Sequence, residues 1–272
     1  MTGKFVSVEN GLGPEGRIAI VRFDRGDKLN ALSPEAMRQL RAVAQAFEDD
    51  LGTSVVILTG NAQAFSAGFD LRDAEGRSRA KLGLGERRAA LRVGPRMCRA
   101  WWDMEQVTIA AIEGPCIGGG VALAAALDFR FCAEGAHFRI PEVALGMNMS
   151  WGSLPRLLAL MGPARTKQAV ILAADRISAA EAREWGLVEK VVADGQALAE
   201  AMAFASRIAA LPPLAVAMTK TSVNRLSGAL DELAAHMDTD QFALTAASED
   251  HAEGVAAFLE RRQPRFTWTT SG

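Results

Sequence analysis

The stretch "AAIEGPCIGGGVALAAALDFR", residues 110–130, decides the fold because its apolar pattern changes character several times. The apolar run 108–112 predicts a buried strand, and the glycine-rich segment 114–120 predicts a turn. The Ala/Leu segment 121–127 predicts a helix, which is followed by a second strand at 129–132. Strands that alternate with helices in this way indicate a mixed α/β fold.

Three consecutive glycines, Gly118–Gly120, stand directly before the predicted helix. Glycine lets a backbone N–H face outward where a Cβ would block close approach, and a helix N-terminus adds partial positive charge. Both features favour an anion. The dinucleotide pattern G-x-G-x-x-G is absent because its sixth position is Leu123, and the Gly-Lys-Ser/Thr of a P-loop is absent too. Tight helix packing is the alternative explanation of the glycines.

A second turn, "AFSAGFDLRD" at 64–73, follows the apolar strand 55–59 and resembles a nucleophile elbow, G-x-S-x-G. An elbow serine lies directly between strand and helix, whereas six residues separate Thr59 from Ser66, and Ala64 replaces the first glycine. We therefore expect the turn to serve through its backbone, with the amide of Ala67 as the donor. Together with the glycine turn, it predicts two converging N–H groups that form an oxyanion hole.

The composition excludes several classes of protein. The 272 residues are 49% apolar, with a net charge of −2 and a pI of about 6.0, so nucleic-acid binding is not expected. The three cysteines, Cys98, Cys116 and Cys132, lack C-x-x-C spacing and predict buried free thiols. The N-terminus shows no apolar signal region and no run is long enough to span a bilayer, so we expect no membrane association and a cytoplasmic location.

The chain divides into a mixed part and a helical part. Strands are predicted at 5–8 and 18–23, and a helix with Ser33 as its N-cap is predicted to run to about Asp50. Beyond Trp151 the pattern is helical, at 153–161, 163–173, 178–185, 195–210, 213–226, 229–248 and 251–261. We predict a core domain over 1–197 and a helical oligomerisation region over 198–272.

The sequence resembles the crotonase family, the enoyl-CoA hydratase/isomerase superfamily. The resemblance covers essentially the whole chain and rests on "KLNALSPE" (28–35), "AFSAGFDL" (64–71), residues 109–146, residues 155–192 and "SEDHAEGVAAFLERRQPRF" (248–266). It implies a crotonase-like α/β spiral of ββα units with a C-terminal α-helical trimerisation region. It also implies a homotrimer or a dimer of trimers, and an acyl-CoA thioester as the substrate, with no metal and no resident cofactor.

The resemblance also implies the site residues. The N–H groups of Ala67 and Gly119 would hold the oxygen of a thioester enolate. Other residues would contact the substrate or its CoA: Lys28, Ala31, Ala64, Phe65, Gly68, Phe69, Asp70, Leu71, Gly118, Ala122, Met147, Trp151, Phe258 and Phe266. Phe258 and Phe266 resemble C-terminal aromatics that reach the CoA of a neighbouring subunit.

One departure from the family pattern bears on the reaction. Hydratases of the family carry two glutamates on opposite sides of a water, and the position of the first is Ala122 here. The second is present as Glu142 in "FRIPEVALG". A 1,3-proton shift needs only one carboxylate, so the sequence favours an isomerase-like reaction over hydration. Glu113 and Asp128 are weaker carboxylate candidates. Met147, Met149 and Trp151 predict either a bulky pocket lining or core packing.

Alternatives with the same fold remain. A lyase or hydratase acting on an aryl-propenoyl-CoA would also use one glutamate, and a non-catalytic member would retain only CoA binding. The stretch 72–99 carries nine basic residues against three acidic ones. It predicts either a solvated helix face or a mobile lid beside an anionic ligand.

Overall fold

The computed structural model describes residues 3–173, 175–229 and 235–267, with Ala80 described by its backbone only. A six-stranded sheet forms its centre, in the order β1-β2-β3-β4-β6-β9. The first two strands are antiparallel and the rest are parallel. The six strands are β1 (Val6–Leu12), β2 (Ile18–Phe23), β3 (Val55–Thr59), β4 (Val107–Ile112), β6 (Phe129–Ala133) and β9 (Lys190–Val192).

The central strands are apolar throughout because helices cover both faces of the sheet. Every residue of β3 and β4 is buried. The helices α1 (Pro34–Ala46) and α4 (Val93–Asp103) pack on one face. On the other face lies α8 (Ala197–Ala209), whose contacts repeat every fourth residue as Ala197, Ala201, Ala205 and Ala209. The mixed α/β class predicted from the sequence is confirmed.

A small second sheet positions the two turns at residues 64–73 and 114–120. It consists of β5 (Pro115–Ile117), β7 (His137–Arg139) and β8 (Ile177–Ser178), in the order β5-β7-β8. The short helix α5 (Gly119–Ala124) follows β5 directly. The sequence pattern missed β5, β7, β8 and β9 because strands of two or three residues are too short to show a period.

The remaining helices are α2 (Ala74–Ser78), α3 (Leu84–Leu91), α6 (Ser153–Ile171), α7 (Ala179–Glu184), α9 (Pro213–Ser227), α10 (Asp238–Thr245) and α11 (Glu249–Glu260). The helices predicted at 153–161 and 163–173 form one element, α6, with non-helical backbone at Gly162. Residues 230–234 of the helix predicted at 229–248 lie outside the described residues.

The proposed division of the chain at residue 197 falls at the first residue of α8, which packs on the central sheet. By contrast, α9 buries none of its residues. Within the described ranges, no single helix is both long and apolar enough to cross a membrane. The pair α8 and α9, bent by 111°, would reach that length and composition only together.

Candidate active site

Ser66 shapes the first turn. It is fully buried, and its Oγ accepts the Gly68 N–H at 3.1 Å. Its backbone joins the turn to the second sheet, because Ser66 N–H donates to Pro115 O and Ser66 O accepts from Ile117 N–H. Among the described residues no histidine hydrogen-bonds to Ser66, so a general base for a nucleophile is missing there. The expectation that this turn serves through its backbone agrees with these contacts.

Gly68 brings the two turns together. Its φ is +84°, which favours glycine. A Cβ at this position would lie 2.6 Å from Ile117 O and 3.2 Å from the Gly119 nitrogen. A side chain would therefore push the first turn away from the start of α5. On the α5 side, a Cβ on Gly120 would lie 2.8 Å from Ser66 O, so the close approach of the two backbones requires glycine there as well.

The amide of Ala67 is not available as an oxyanion donor, which corrects the sequence prediction. It donates to Leu29 O at 2.8 Å, and this bond ties the turn to the loop after β2. The next amide, Gly68 N–H, is taken by Ser66 Oγ. The Phe69 N–H and the Gly119 N–H have no acceptor within the part of the chain that the structure describes. Phe69 directly follows Gly68, and Gly119 lies at the contact with Gly68, so we predict that these two amides are the donors of the site.

Pairing of β5 with β7 brings the predicted carboxylate to the second turn. The two strands are parallel, with Ile117 opposite Arg139, and Gly118 N–H continues the ladder by donating to Arg139 O at 2.8 Å. The chain then turns at Pro141, so Glu142 folds back over Gly118. A Cβ on Gly118 would lie 2.7 Å from Glu142 Oε1. The carboxylate therefore lies beside Gly118, the residue that directly precedes Gly119.

Burial tunes the Glu142 carboxylate. The residue as a whole is half-buried, but its Oε2 atom is buried and has no hydrogen-bond partner among the described residues. Loss of hydration disfavours the charged form and raises the pKa of Glu142 to about 7, against a weaker opposing effect of Arg139. A carboxyl group with this pKa exists in both protonation states near neutral pH. It can take up a proton and return it.

Position 122 contributes no second carboxylate. Ala122 is 1% exposed and packs in the core. Glu113 accepts the N–H groups of Gly195 and Ala197, each at 3.0 Å, and so caps helix α8. Asp128 accepts from Thr108 and forms an ion pair with Lys220 at 2.7 Å. Both weaker candidates therefore serve the scaffold.

Trp151 lies against the oxyanion donors. A Cβ on Gly119 would come within 2.5 Å of its indole ring, and a Cβ on Gly94 of α4 would overlap the same ring. Trp151 and Met147 are half-buried, as a pocket lining requires. Met149 is 2% exposed and packs in the core, so its core-packing interpretation holds.

The predicted CoA contacts fall into two groups. Ala64 and Phe65 are buried in the core at 0% and 2% exposure, so their side chains are not available to a ligand, and a contact with CoA through their backbone stays a prediction. Lys28 is exposed, and Phe258 and Phe266 are about half exposed. Ala31, Phe69, Asp70 and Leu71 are half-buried around the turn. The structure places these residues at or near the surface, and their contact with CoA stays a prediction.

Two contributors were missed from the sequence. Asn30 is fully buried, with φ +48°, and its Nδ2 donates to Phe23 O and Phe65 O, which fixes the loop that holds Ala67. Arg79 stacks its guanidinium over the Phe69 ring at 5.0 Å. Its Nε and Nη2 are buried without an acceptor among the described residues, and burial lowers its pKa. Nothing in the pattern distinguished Arg79 from the eight other basic residues of 72–99.

Comparison with known proteins agrees with this fold. The family model described as enoyl-CoA hydratase/isomerase matches residues 13–269. The chain is 34% identical over 256 residues to a crotonyl-CoA hydratase of Syntrophomonas wolfei, covering 94% of this chain and 96% of that one. It is 32% identical over 253 residues to a short-chain-enoyl-CoA hydratase of Clostridium acetobutylicum, covering 93% and 95% of the two chains.

Solved structures agree as well. An enoyl-CoA hydratase/isomerase from Pseudoalteromonas atlantica has a TM-score of 0.85 at 26% identity, with 97% of this chain and 100% of that chain covered. A carnitinyl-CoA hydratase from Mycobacterium avium has a TM-score of 0.80 at 28% identity, with 97% and 99% covered. The fold is that of the crotonase superfamily, a group of acyl-CoA enzymes. The chain belongs to the enoyl-CoA hydratase/isomerase family.

Proposed function

We propose that this protein is an enoyl-CoA isomerase-type enzyme that forms a thioester enolate and reprotonates it with a single glutamate. One observation carries the proposal: Glu142 lies over Gly118 with its Oε2 buried and without a hydrogen-bond partner among the described residues, while the position of a second carboxylate is filled by the buried Ala122. The CoA thioester is the substrate. No resident cofactor is needed, because backbone amides hold the developing charge.

The geometry supports the following sequence of events. The thioester oxygen of a 3-enoyl-CoA accepts hydrogen bonds from the N–H groups of Phe69 and Gly119. These hydrogen bonds stabilise the negative charge that develops on the oxygen. The Glu142 carboxylate removes a proton from C2, and the electrons form the enolate conjugated with the double bond. The protonated Glu142 then returns a proton to C4, which yields the 2-enoyl-CoA. One carboxylate with a pKa of about 7 performs both transfers.

Hydration needs a second acid/base group, which this site lacks among the described residues. Addition of water to a double bond needs one group that activates the water and one that delivers a proton. The methyl group of Ala122 offers no hydrogen bond. The relatives compared above carry the name hydratase, so the decisive measurement is the ratio of isomerisation to hydration in the same purified protein.

The test measures kcat/KM for isomerisation of a 3-enoyl-CoA and for hydration of crotonyl-CoA. The wild type is expected to isomerise much faster than it hydrates. Ala122→Glu is expected to raise hydration if the pocket accepts the side chain. Glu142→Gln is expected to suppress both reactions, whereas Glu134→Gln, at an exposed position after β6, should change neither.

Two outcomes would contradict the proposal. Wild-type hydration of crotonyl-CoA with kcat/KM above ~10⁶ M⁻¹s⁻¹, typical of an efficient enzyme, would show that another residue supplies the second carboxylate. Absence of turnover in the wild type, with CoA bound equally well by the wild type and Glu142→Gln, would favour a non-catalytic CoA-binding protein. An aryl-propenoyl-CoA in the same assay tests the lyase alternative.

A further inference from the structure

A basic cleft lies beyond Trp151. Arg88, Arg92, Arg96 and Arg99 follow one another at spacings of four, four and three residues along α3 and α4, so their side chains share one side of this segment. All four line a cavity of about 610 Å³. Trp151 lines the same cavity, and its indole also rests on Gly119. The cleft therefore adjoins the oxyanion donors, with the indole between them.

Trp151 has a strained backbone conformation, which a neighbouring hydrogen bond holds in place. Its φ is +65°, a conformation that bulky residues rarely adopt. The next residue, Gly152, donates its N–H to the buried carboxylate of Asp238 at 2.7 Å, and this bond anchors the strained turn to α10. The fold thus fixes the indole at the junction of the donor pair and the basic cleft.

The described residues that face the cleft carry a basic excess. Asp240 forms an ion pair with Arg88 at 2.8 Å and also attracts Arg92, and Asp238 accepts the Gly152 N–H. Arg92 and Arg96 are exposed, and neither makes a direct ion pair or side-chain hydrogen bond with another described residue. A concave surface with an excess of guanidinium groups attracts an anion, and the planar fork of arginine suits a carboxylate.

The direction of the substrate decides which anion fits. The predicted CoA contacts Ala31, Asp70 and Leu71 lie on the Gly68 side of the donor pair, where Leu32 bridges to Phe69. The cleft borders the other donor, Gly119, through the indole of Trp151. A thioester held between Phe69 and Gly119 would direct its acyl chain, and not its CoA phosphates, toward the arginines.

We propose that the cleft binds a carboxylate at the far end of the acyl group, with Arg92 and Arg96 as its ligands. The substrate class is then an acyl-CoA whose acyl chain ends in a carboxylate. This inference rests on the proposed function for the orientation of the thioester, but its test does not require turnover.

The test measures the dissociation constants of adipoyl-CoA and hexanoyl-CoA, two saturated ligands of equal chain length that differ in the terminal carboxylate. The wild type is expected to bind adipoyl-CoA about 10-fold to 100-fold more tightly, the range of a charge-assisted hydrogen bond. The double variant Arg92→Gln/Arg96→Gln should abolish this preference. Arg87→Gln, on the preceding helix α3 and outside the cleft lining, should retain it.

Equal wild-type affinity for the two ligands would overturn the inference. An equal loss of affinity for adipoyl-CoA, hexanoyl-CoA and free CoA in the double variant would also overturn it, because the arginines would then hold the CoA phosphates. Failure of the proposed function gives a different result: absent turnover of every enoyl-CoA leaves the difference between the two binding constants unaffected.

Discussion

Gly119 illustrates how much depends on one backbone donor. It begins α5, and its N–H is one of the two predicted donors of the site, neither of which has an acceptor among the described residues. A Cβ here would contact the indole of Trp151, so any replacement disturbs that ring as well. A variant that removes the N–H must therefore be compared with one that adds only the Cβ.

We predict that Gly119→Pro, which removes the N–H, lowers kcat roughly 10²–10³-fold more than Gly119→Ala, which keeps it. Ser66→Ala should leave turnover within a few-fold, because its Oγ only caps the Gly68 N–H. Steady-state kinetics of the three variants, after circular dichroism has shown that they fold, checks this. Loss of activity in Ser66→Ala with an active Gly119→Pro would disprove the donor assignment.

Glu142 links catalysis to stability. Its pKa is about 7 in the folded protein, against 4.5 as the ordinary value. The folded state therefore binds more protons between these two pH values, and the free energy of unfolding falls as pH rises through this window. Above pH 7, the charged carboxylate therefore lowers the free energy of unfolding.

We predict that Glu142→Gln is more stable than the wild type at pH 8, by up to ~3 kcal/mol, and equally stable near pH 4.5. Chemical denaturation at both pH values measures this difference. Glu134→Gln, whose position is exposed, should show no pH-dependent difference. If Glu142→Gln has the same stability as the wild type at pH 8 and at pH 4.5, the pKa of Glu142 is not raised in the folded protein.

At the scale of elements, α2 and α3 stand out because neither buries a side chain. The segment nevertheless reaches the site. Arg79 stacks on the Phe69 ring, and a Cβ on Gly76 would lie 2.9 Å from the same ring. Few buried contacts indicate low local stability, and the Phe69 contact places this segment beside the donor pair.

We predict that CoA protects the segment 72–99 from trypsin by several-fold, because the ligand orders a lid that is rich in arginine. Peptide mapping of nicked protein, with and without CoA, gives the rates. Cleavage after Arg176, an exposed residue outside the segment, is the internal control and should not change. Equal cleavage of 72–99 in both conditions would contradict the lid.

For the whole molecule, α9 presents an unpartnered apolar surface. It buries none of its residues, and Leu214, Met218 and Leu226 are 62–80% exposed. An apolar face of this kind on a single chain indicates association. We propose that the predicted helical oligomerisation region assembles through α9 into a homotrimer or a dimer of trimers.

Light scattering should accordingly give a mass near three or six times the 29.0 kDa of one chain. The double variant Leu214→Glu/Leu226→Glu is predicted to shift the mass toward one chain, because two carboxylates would be buried unpaired. Leu51→Glu, at a 95% exposed position far from α9 in sequence, is the matched control and should not change the mass. A monomeric wild type would refute the assembly.

The sequence alone determined the features that depend on local pattern. The apolar runs of β3 and β4, the Ser33 cap of α1 and the burial of the three thiols could be read from period, capping chemistry and neighbouring residues. The family resemblance added Glu142 and Ala122. These features are local or carried by a motif, so they need no knowledge of distant contacts.

The tertiary structure alone decided which amide is free and how the carboxylate titrates. The Ala67 N–H is occupied by Leu29, whose carbonyl lies 38 residues earlier in the chain, so Phe69 takes its place as the donor. The pKa of Glu142 depends on its burial, and its Oε2 has no hydrogen-bond partner in the part of the chain that the structure describes. Amide direction and desolvation are set by residues far apart in sequence, and no local pattern encodes them.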